Sequence, residues 1–190
     1  MTTTFDPELT PGARNAVRVC LNIKPYERVT VVTDRASEEI AASLVHEIEE
    51  VGAPFRAFVL EDEATRPLTD LPAAIAADLE ESQVSILAAQ VQPHELAARM
   101  QLTAIVNRRR MRHAHMVNIT PQIMREGMRA DYLKVDRLSQ KVIELMRSAR
   151  QVRATTAAGT DVTATFNPEY RWLKTSGLIS PDKWGNLPGG

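Results

Sequence analysis

Cysteine occurs once in these 190 residues, at Cys20, so no disulfide can form within the chain. A lone thiol fits a reducing compartment, and the cytoplasm is the expected location. No apolar run approaches the roughly 20 residues that a membrane helix needs. Met1–Thr10 carries neither a basic cluster nor an apolar stretch, so a secretory signal is not expected. Glycine is scarce at 8 residues, and none falls in Thr33-Asp34-Arg35-Ala36-Ser37, the loop after the first strand-like run. A dinucleotide or P-loop site needs glycine there, so that backbone can approach phosphate; both are disfavoured. No Gly-x-Ser-x-Gly elbow is present either.

The remaining composition is that of an ordinary globular protein, 44% apolar and 25% charged. The net charge of -1 hides an asymmetry. Residues 1–98 carry 7 basic and 17 acidic side chains, whereas residues 99–153 carry 13 basic and 4 acidic. The basic segment includes Arg108, Arg109, Arg110 and Arg112, a cluster able to meet phosphate. Aromatic residues, only 5% of the chain, do not interleave with it, so a stacking platform for single strands is missing. The expected role is a solvated helix end facing the acidic half, with no nucleic-acid partner.

Four strand-like runs recur: Arg28–Thr33, Pro54–Leu60, Val84–Ala88 and Ala114–Ile119, their starts 26, 30 and 30 residues apart. Several are apolar on both faces, as strands covered on each side should be. Helical patterns lie between them, which predicts an α/β fold with a mainly parallel sheet and helices on both faces. Ser37 is the expected N-cap of a helix that Gly52 ends, with Ile40, Leu44, Ile48 and Val51 forming its apolar stripe. Pro72 and Pro93 suit first turns ahead of Ala73–Ser82 and His94–Arg112. Asp131–Arg150 places Val135, Leu138, Val142 and Leu145 on one side, a stripe expected in the core. After about residue 150 the period changes to 2: Val152–Phe166 reads as a β-hairpin turning at Ala158-Gly159-Thr160, the start of an antiparallel region. Two units are therefore expected, an α/β domain over residues 1–150 and an incomplete second domain over residues 151–190. Trp172 and Trp184 lie in the second, where no later element is at hand to cover them.

Few residues suggest chemistry. Asp34 follows the first strand, where open α/β sheets bind ligands, yet aspartate is equally a turn and cap residue. His113 and His115 form a His-x-His pair that a strand would place on one face. A metal site needs three or four ligands, and neither carboxylate nor third histidine lies nearby in sequence. His46 and His94 lack an i+4 partner histidine. Cys20 shares a helical face with Ala13 and Val17, which suits a buried apolar group better than a nucleophile. The residues alone assign no catalytic group and no metal ligand.

A resemblance adds to this reading. Gly159-Thr160-Asp161 in a hairpin turn, followed by Trp184-Gly185-Asn186-Leu187-Pro188-Gly189-Gly190, is similar to the aminopeptidase T family of metallo-aminopeptidases, also described as leucyl aminopeptidases. Lys24–Val29 before the first strand, and Ile119-Thr120-Pro121 with Met124, are similar in order too. Tyr26 stands where that family usually has glycine. The resemblance implies a hydrolase releasing N-terminal amino acids from peptides, commonly a homodimer. It implies that Asn186, Leu187, Pro188, Gly189 and Gly190 form a site loop, followed in the family by a glutamate that binds a pair of divalent ions, zinc or cobalt. Those ions would activate water and polarise the peptide carbonyl. No ligand to them maps onto a residue present here, so the chain is expected to be a truncated N-terminal portion, inactive by itself. A related family, ring-cleaving dioxygenases of the dihydroxypyridine type with a single iron, is the alternative. A binding module that uses Arg108–Arg112 is the non-enzymatic one.

Overall fold

The computed structural model describes residues 4–167, 169–181 and 183–189. Val29–Thr33 (β1), Phe55–Val59 (β2), Val84–Ala88 (β3) and Arg112–His115 (β4) form a parallel sheet, to which Gly185–Asn186 (β7) adds a short fifth strand. The order is β2-β1-β3-β4-β7. Register is fixed by pairs such as Val29↔Phe55, Val29↔Val84 and Val84↔Arg112. Gln151–Thr155 (β5) and Asp161–Thr165 (β6) form the antiparallel hairpin separately, turning through Gly159. The expected α/β class is present.

Period-2 alternation sorts the strand side chains between two apolar layers. Val29 and Val31 of β1, Ile86 of β3 and Ala114 of β4 pack with Thr10–Arg14 (α1), its wider-wound continuation Asn15–Cys20, and Glu38–Val51 (α2). Val32 and Leu87 face the other way, toward Ala73–Glu81 (α4) and Leu96–Arg109 (α5). Leu60–Glu63 (α3), Pro121–Arg125 (α6) and Tyr132–Met146 (α7) complete the helices described. No helix among the described residues is long and apolar enough to cross a membrane.

Gly52 ends α2 in the left-handed conformation at φ 78°, as its position suggested. The cap at the other end lies one turn earlier than Ser37. Ser37 makes no side-chain cap bond, whereas Asp34 accepts from the Ser37 N–H at 2.9 Å and opens a 3-10 turn that leads into α2. The fourth strand also differs from its expected span. It begins at Arg112 and ends at His115, ahead of Asn118, which takes the left-handed conformation at φ 57°. Helix α5 starts at Leu96, because His94 sits at φ 73° and cannot be helical.

Helix α7 corrects a larger expectation. Its stripe is not core: Leu138 and Leu145 are 61% and 78% exposed, and Leu133 and Val142 are exposed beside them. Helical periodicity marks a face suited to burial but does not name what buries it. Among the described residues no element packs over this one. Trp172 and Trp184 are half-buried.

In the basic cluster, Arg108 pairs with Glu80 and Arg112 with Glu27, both acids from residues 1–98. Arg110 takes the left-handed position that closes α5.

Candidate functional site

Parallel strands place their carboxyl ends on one edge of the sheet. The chain passes from β1 outward to β2, then back across to β3, so the topological switch lies between β1 and β3. Asp34 follows β1 and Gln90 follows β3 at that point. The crevice is filled by one guanidinium. Arg66, with a side chain 5% exposed, donates from Nη1 to Asp34 Oδ2 at 2.8 Å and to Glu61 Oε1 at 3.1 Å. Its Nη2 reaches the Gln90 carbonyl at 2.7 Å and Glu95 Oε2 at 2.6 Å, and its Nε reaches Glu95 Oε1 at 2.7 Å. All five guanidinium N–H groups are thereby used. Asp34 accepts in addition from the N–H groups of Ser37 and Gln90, at 2.9 and 2.7 Å. The hydrogen bonds from Arg66 hold the Glu95 carboxyl below its ordinary range. Beneath this network Val32, Leu60, Leu68, Leu87 and Leu102 line an apolar cavity of about 30 Å³, room for about one water. Asp34 therefore caps and clamps at the place where a ligand group was the other sequence reading.

Further along the same edge, β4 carries His113 and His115 on the α5 face, as their spacing requires. Ser85 of β3 is paired with His113 in the sheet register. Its Oγ lies 2.8 Å from His113 Nδ1, and His113 Nε2 lies 3.3 Å from His115 Nδ1. Two proton arrangements satisfy these contacts: the Ser85 hydroxyl donates to His113 Nδ1 and His113 Nε2–H to His115 Nδ1, or both bonds run the other way. Burial pushes His113 down to about 3, with the neighbouring His115 adding to the shift. Burial, then the charge of Arg99, also lowers His115. Trp184 lies over both rings, with centroids 6.2 Å from His113 and 5.5 Å from His115. Both nitrogens of His113 are already bonded, and no three His, Cys, Asp or Glu side chains converge among the described residues. These residues do not fit a metal pair.

The loop singled out in the sequence borders this corner. Gly185 and Asn186 form β7, pairing with Ala114 and His115. Leu187 is buried and donates its N–H to the His115 carbonyl at 3.1 Å. Asn186 and Pro188 are exposed, and with Leu173, Thr175, Lys183 and Trp184 they border an open groove of about 680 Å³. Gly190 lies outside the described residues. A two-residue strand is too short to show any period, so no sequence signal announced β7.

Gly177 has φ 86°, and a Cβ there would stand 2.6 Å from the ring of the buried Tyr132. Gly177→Ala is expected to lose about 1–3 kcal/mol from backbone strain alone, with the ring contact adding to it. A urea midpoint within error of the parent protein would refute this packing.

Two further groups complete the picture. Cys20 is buried, which pushes its thiol up to about 12; it is a packing residue, as its helical face suggested. Arg99 on α5 borders the apolar cavity, and its Nε is buried without a hydrogen-bond partner among the described residues.

No protein-family model matches the chain, and no curated protein matches it significantly. Solved structures do. Wild-type AmpT from Thermus thermophilus, an aminopeptidase T, superposes with a TM-score of 0.61 at 14% identity, over 98% of this chain and 60% of that one. The 2,5-dihydroxypyridine dioxygenase from Pseudomonas putida superposes with a TM-score of 0.59 at 15% identity, over 95% of this chain and 53% of that one. At such identities the likeness is one of fold. The chain spans little more than half the length of these two structures.

Proposed function

We propose that this chain is the sheet-bearing portion of a metal-dependent aminopeptidase, a hydrolase that removes N-terminal amino acids from peptides. The observation that carries this reading is the seating of Asn186-Leu187-Pro188-Gly189. The loop that is similar to the aminopeptidase T family lies at the carboxyl edge of a parallel sheet, beside an open groove, in a fold shared with AmpT. On this reading the metal ligands come from elsewhere, because among the described residues no three His, Cys, Asp or Glu side chains converge. What this chain supplies is position: β4 and Leu187 fix the loop, and Gly177 packs against Tyr132 beneath it. A cytoplasmic homodimer is part of the same proposal, and the exposed apolar face of α7 offers it a surface.

The test is an aminoacyl-anilide assay of the purified chain in zinc and in cobalt, with elemental analysis after gel filtration. No turnover and no stoichiometric metal are expected. Turnover that scales with bound metal would mean that the active site lies within these residues. The dioxygenase neighbour supports a second reading, a portion of a ring-cleaving iron enzyme. Coding DNA beyond codon 190 separates the two: a glutamate-rich paired-metal set favours the peptidase, and a histidine and aspartate iron set favours the dioxygenase. A nucleic-acid module is the weakest reading, because Arg108 and Arg112 already hold acidic partners.

A further inference from the structure

β7 is the outermost strand of its sheet, and among the described residues no strand lies beyond it. It runs parallel to β4, with Leu187 donating its N–H to the His115 carbonyl at 3.1 Å. Successive residues of a strand turn their N–H and C=O groups alternately to one side and the other. Gly185 and Leu187 therefore face β4, and the N–H and C=O of Asn186 point away from it, toward the side with no partner strand. Asn186 also borders the open groove of about 680 Å³, a size common for small-ligand sites. Leu173, Leu178 and the indole of Trp184 supply its apolar walls. Lys183 is the single charged side chain among the described residues that line it, and it is exposed. The groove thus combines a strand edge, apolar walls and one cation, and no described lining residue is acidic.

We propose that this groove binds a short extended peptide along β7, its main chain paired with the Asn186 N–H and C=O and its C-terminal carboxylate on Lys183. Leu173, Leu178 and Trp184 cover its apolar side chains. Charge sets the direction. Lys183 precedes β7 in the chain, so a peptide whose carboxylate lies there runs antiparallel to the strand. One peptide residue then exchanges both hydrogen bonds with Asn186, the closed pair of an antiparallel ladder. The N-terminus of the peptide points the other way, toward Pro188 and Gly189. Strand addition of this kind draws affinity from the main chain and selectivity from the groove walls. The choice of a peptide as ligand rests on the peptidase reading, and it narrows the substrate class to short peptides with a free C-terminus.

The test is an NMR titration of the full chain with the tripeptide Ala-Leu-Ala, followed by the backbone amide resonance of Asn186. A saturable downfield shift with a Kd on the order of 1 mM is expected, as that amide gains an acceptor. The same peptide with a C-terminal carboxamide should bind about 3-fold more weakly, the modest effect of an exposed ion pair. Lys183→Gln should lose that preference for the free acid while its circular-dichroism melt matches the parent, since the side chain is exposed. Methylating the leucine nitrogen removes the donor to the Asn186 carbonyl and should weaken binding further. No saturable shift up to roughly 50 mM would overturn the site. Equal affinity for acid and carboxamide, or an unchanged preference in Lys183→Gln, would overturn the carboxylate assignment. The peptidase reading is judged separately by the coding DNA: a paired-metal set beside a groove that binds no peptide would sink this site alone, and an iron set beside carboxylate-dependent binding would sink that reading alone.

Discussion

Arg66→Ala is expected to destabilise the fold by about 3–5 kcal/mol, the cost of removing one partner from a buried ion network. Arg66 is 5% exposed, and two of its acceptors, Asp34 and Glu95, are 1% and 5% exposed, so water cannot replace the lost donors. The substitution strands two buried carboxylates at once, together with the Gln90 carbonyl. Arg66→Lys should recover only part of the loss, because one ammonium cannot reproduce a five-donor fork. Urea unfolding at neutral pH measures it. A loss below about 1 kcal/mol would show that the carboxylates relax to solvent and that the crevice is not clamped as described.

The chain should also lose stability steadily on acidification, beginning well above the carboxylate range. His113 titrates near its ordinary value of 6.5 when unfolded but is pushed down to about 3 in the fold. Between those values the unfolded chain binds a proton that the folded chain refuses. Stability therefore falls as pH drops, by up to about 1.4 kcal/mol per pH unit for this one group. His115 is lowered too and acts in the same direction. Glu95, lowered from 4.5, contributes stability that is present above that value and is lost below it. Urea midpoints between pH 7.5 and 4.5, compared with those of His113→Asn, give the check. Parallel slopes for the two proteins would mean that His113 is not held neutral by burial.

The parallel sheet could be read in the sequence because burial on both faces leaves continuous apolar runs such as Val29–Thr33 and Val84–Ala88, and Gly52 marked a helix end through its backbone freedom alone. His113 and His115 were legible as a same-face pair for a similar reason, since strand geometry fixes the side of every second residue. Their surroundings were not. Ser85 and Trp184 come from distant parts of the chain, and only the strand order brings them to one corner. Arg66 gave no local signal, because its five acceptors are contributed by four separate residues. The stripe on α7 was seen correctly as a pattern and placed wrongly, because a period describes one surface and burial requires two. Strand β7 was invisible for the opposite reason: backbone pairing, with only two residues involved, leaves no period to detect.

Strand β7 also sets a schedule. Ala114 of β4 pairs with Gly185, roughly 70 residues further on, and at ribosomal rates of about 5–20 residues per second that is a delay of several seconds. During that interval the outer edge of β4 presents unpaired amide and carbonyl groups while β1, β2 and β3 are already available to fold. The nascent protein thus carries an open hydrogen-bonding rim until Gly185 and Asn186 emerge, and during that interval it is most exposed to pairing with a neighbouring copy.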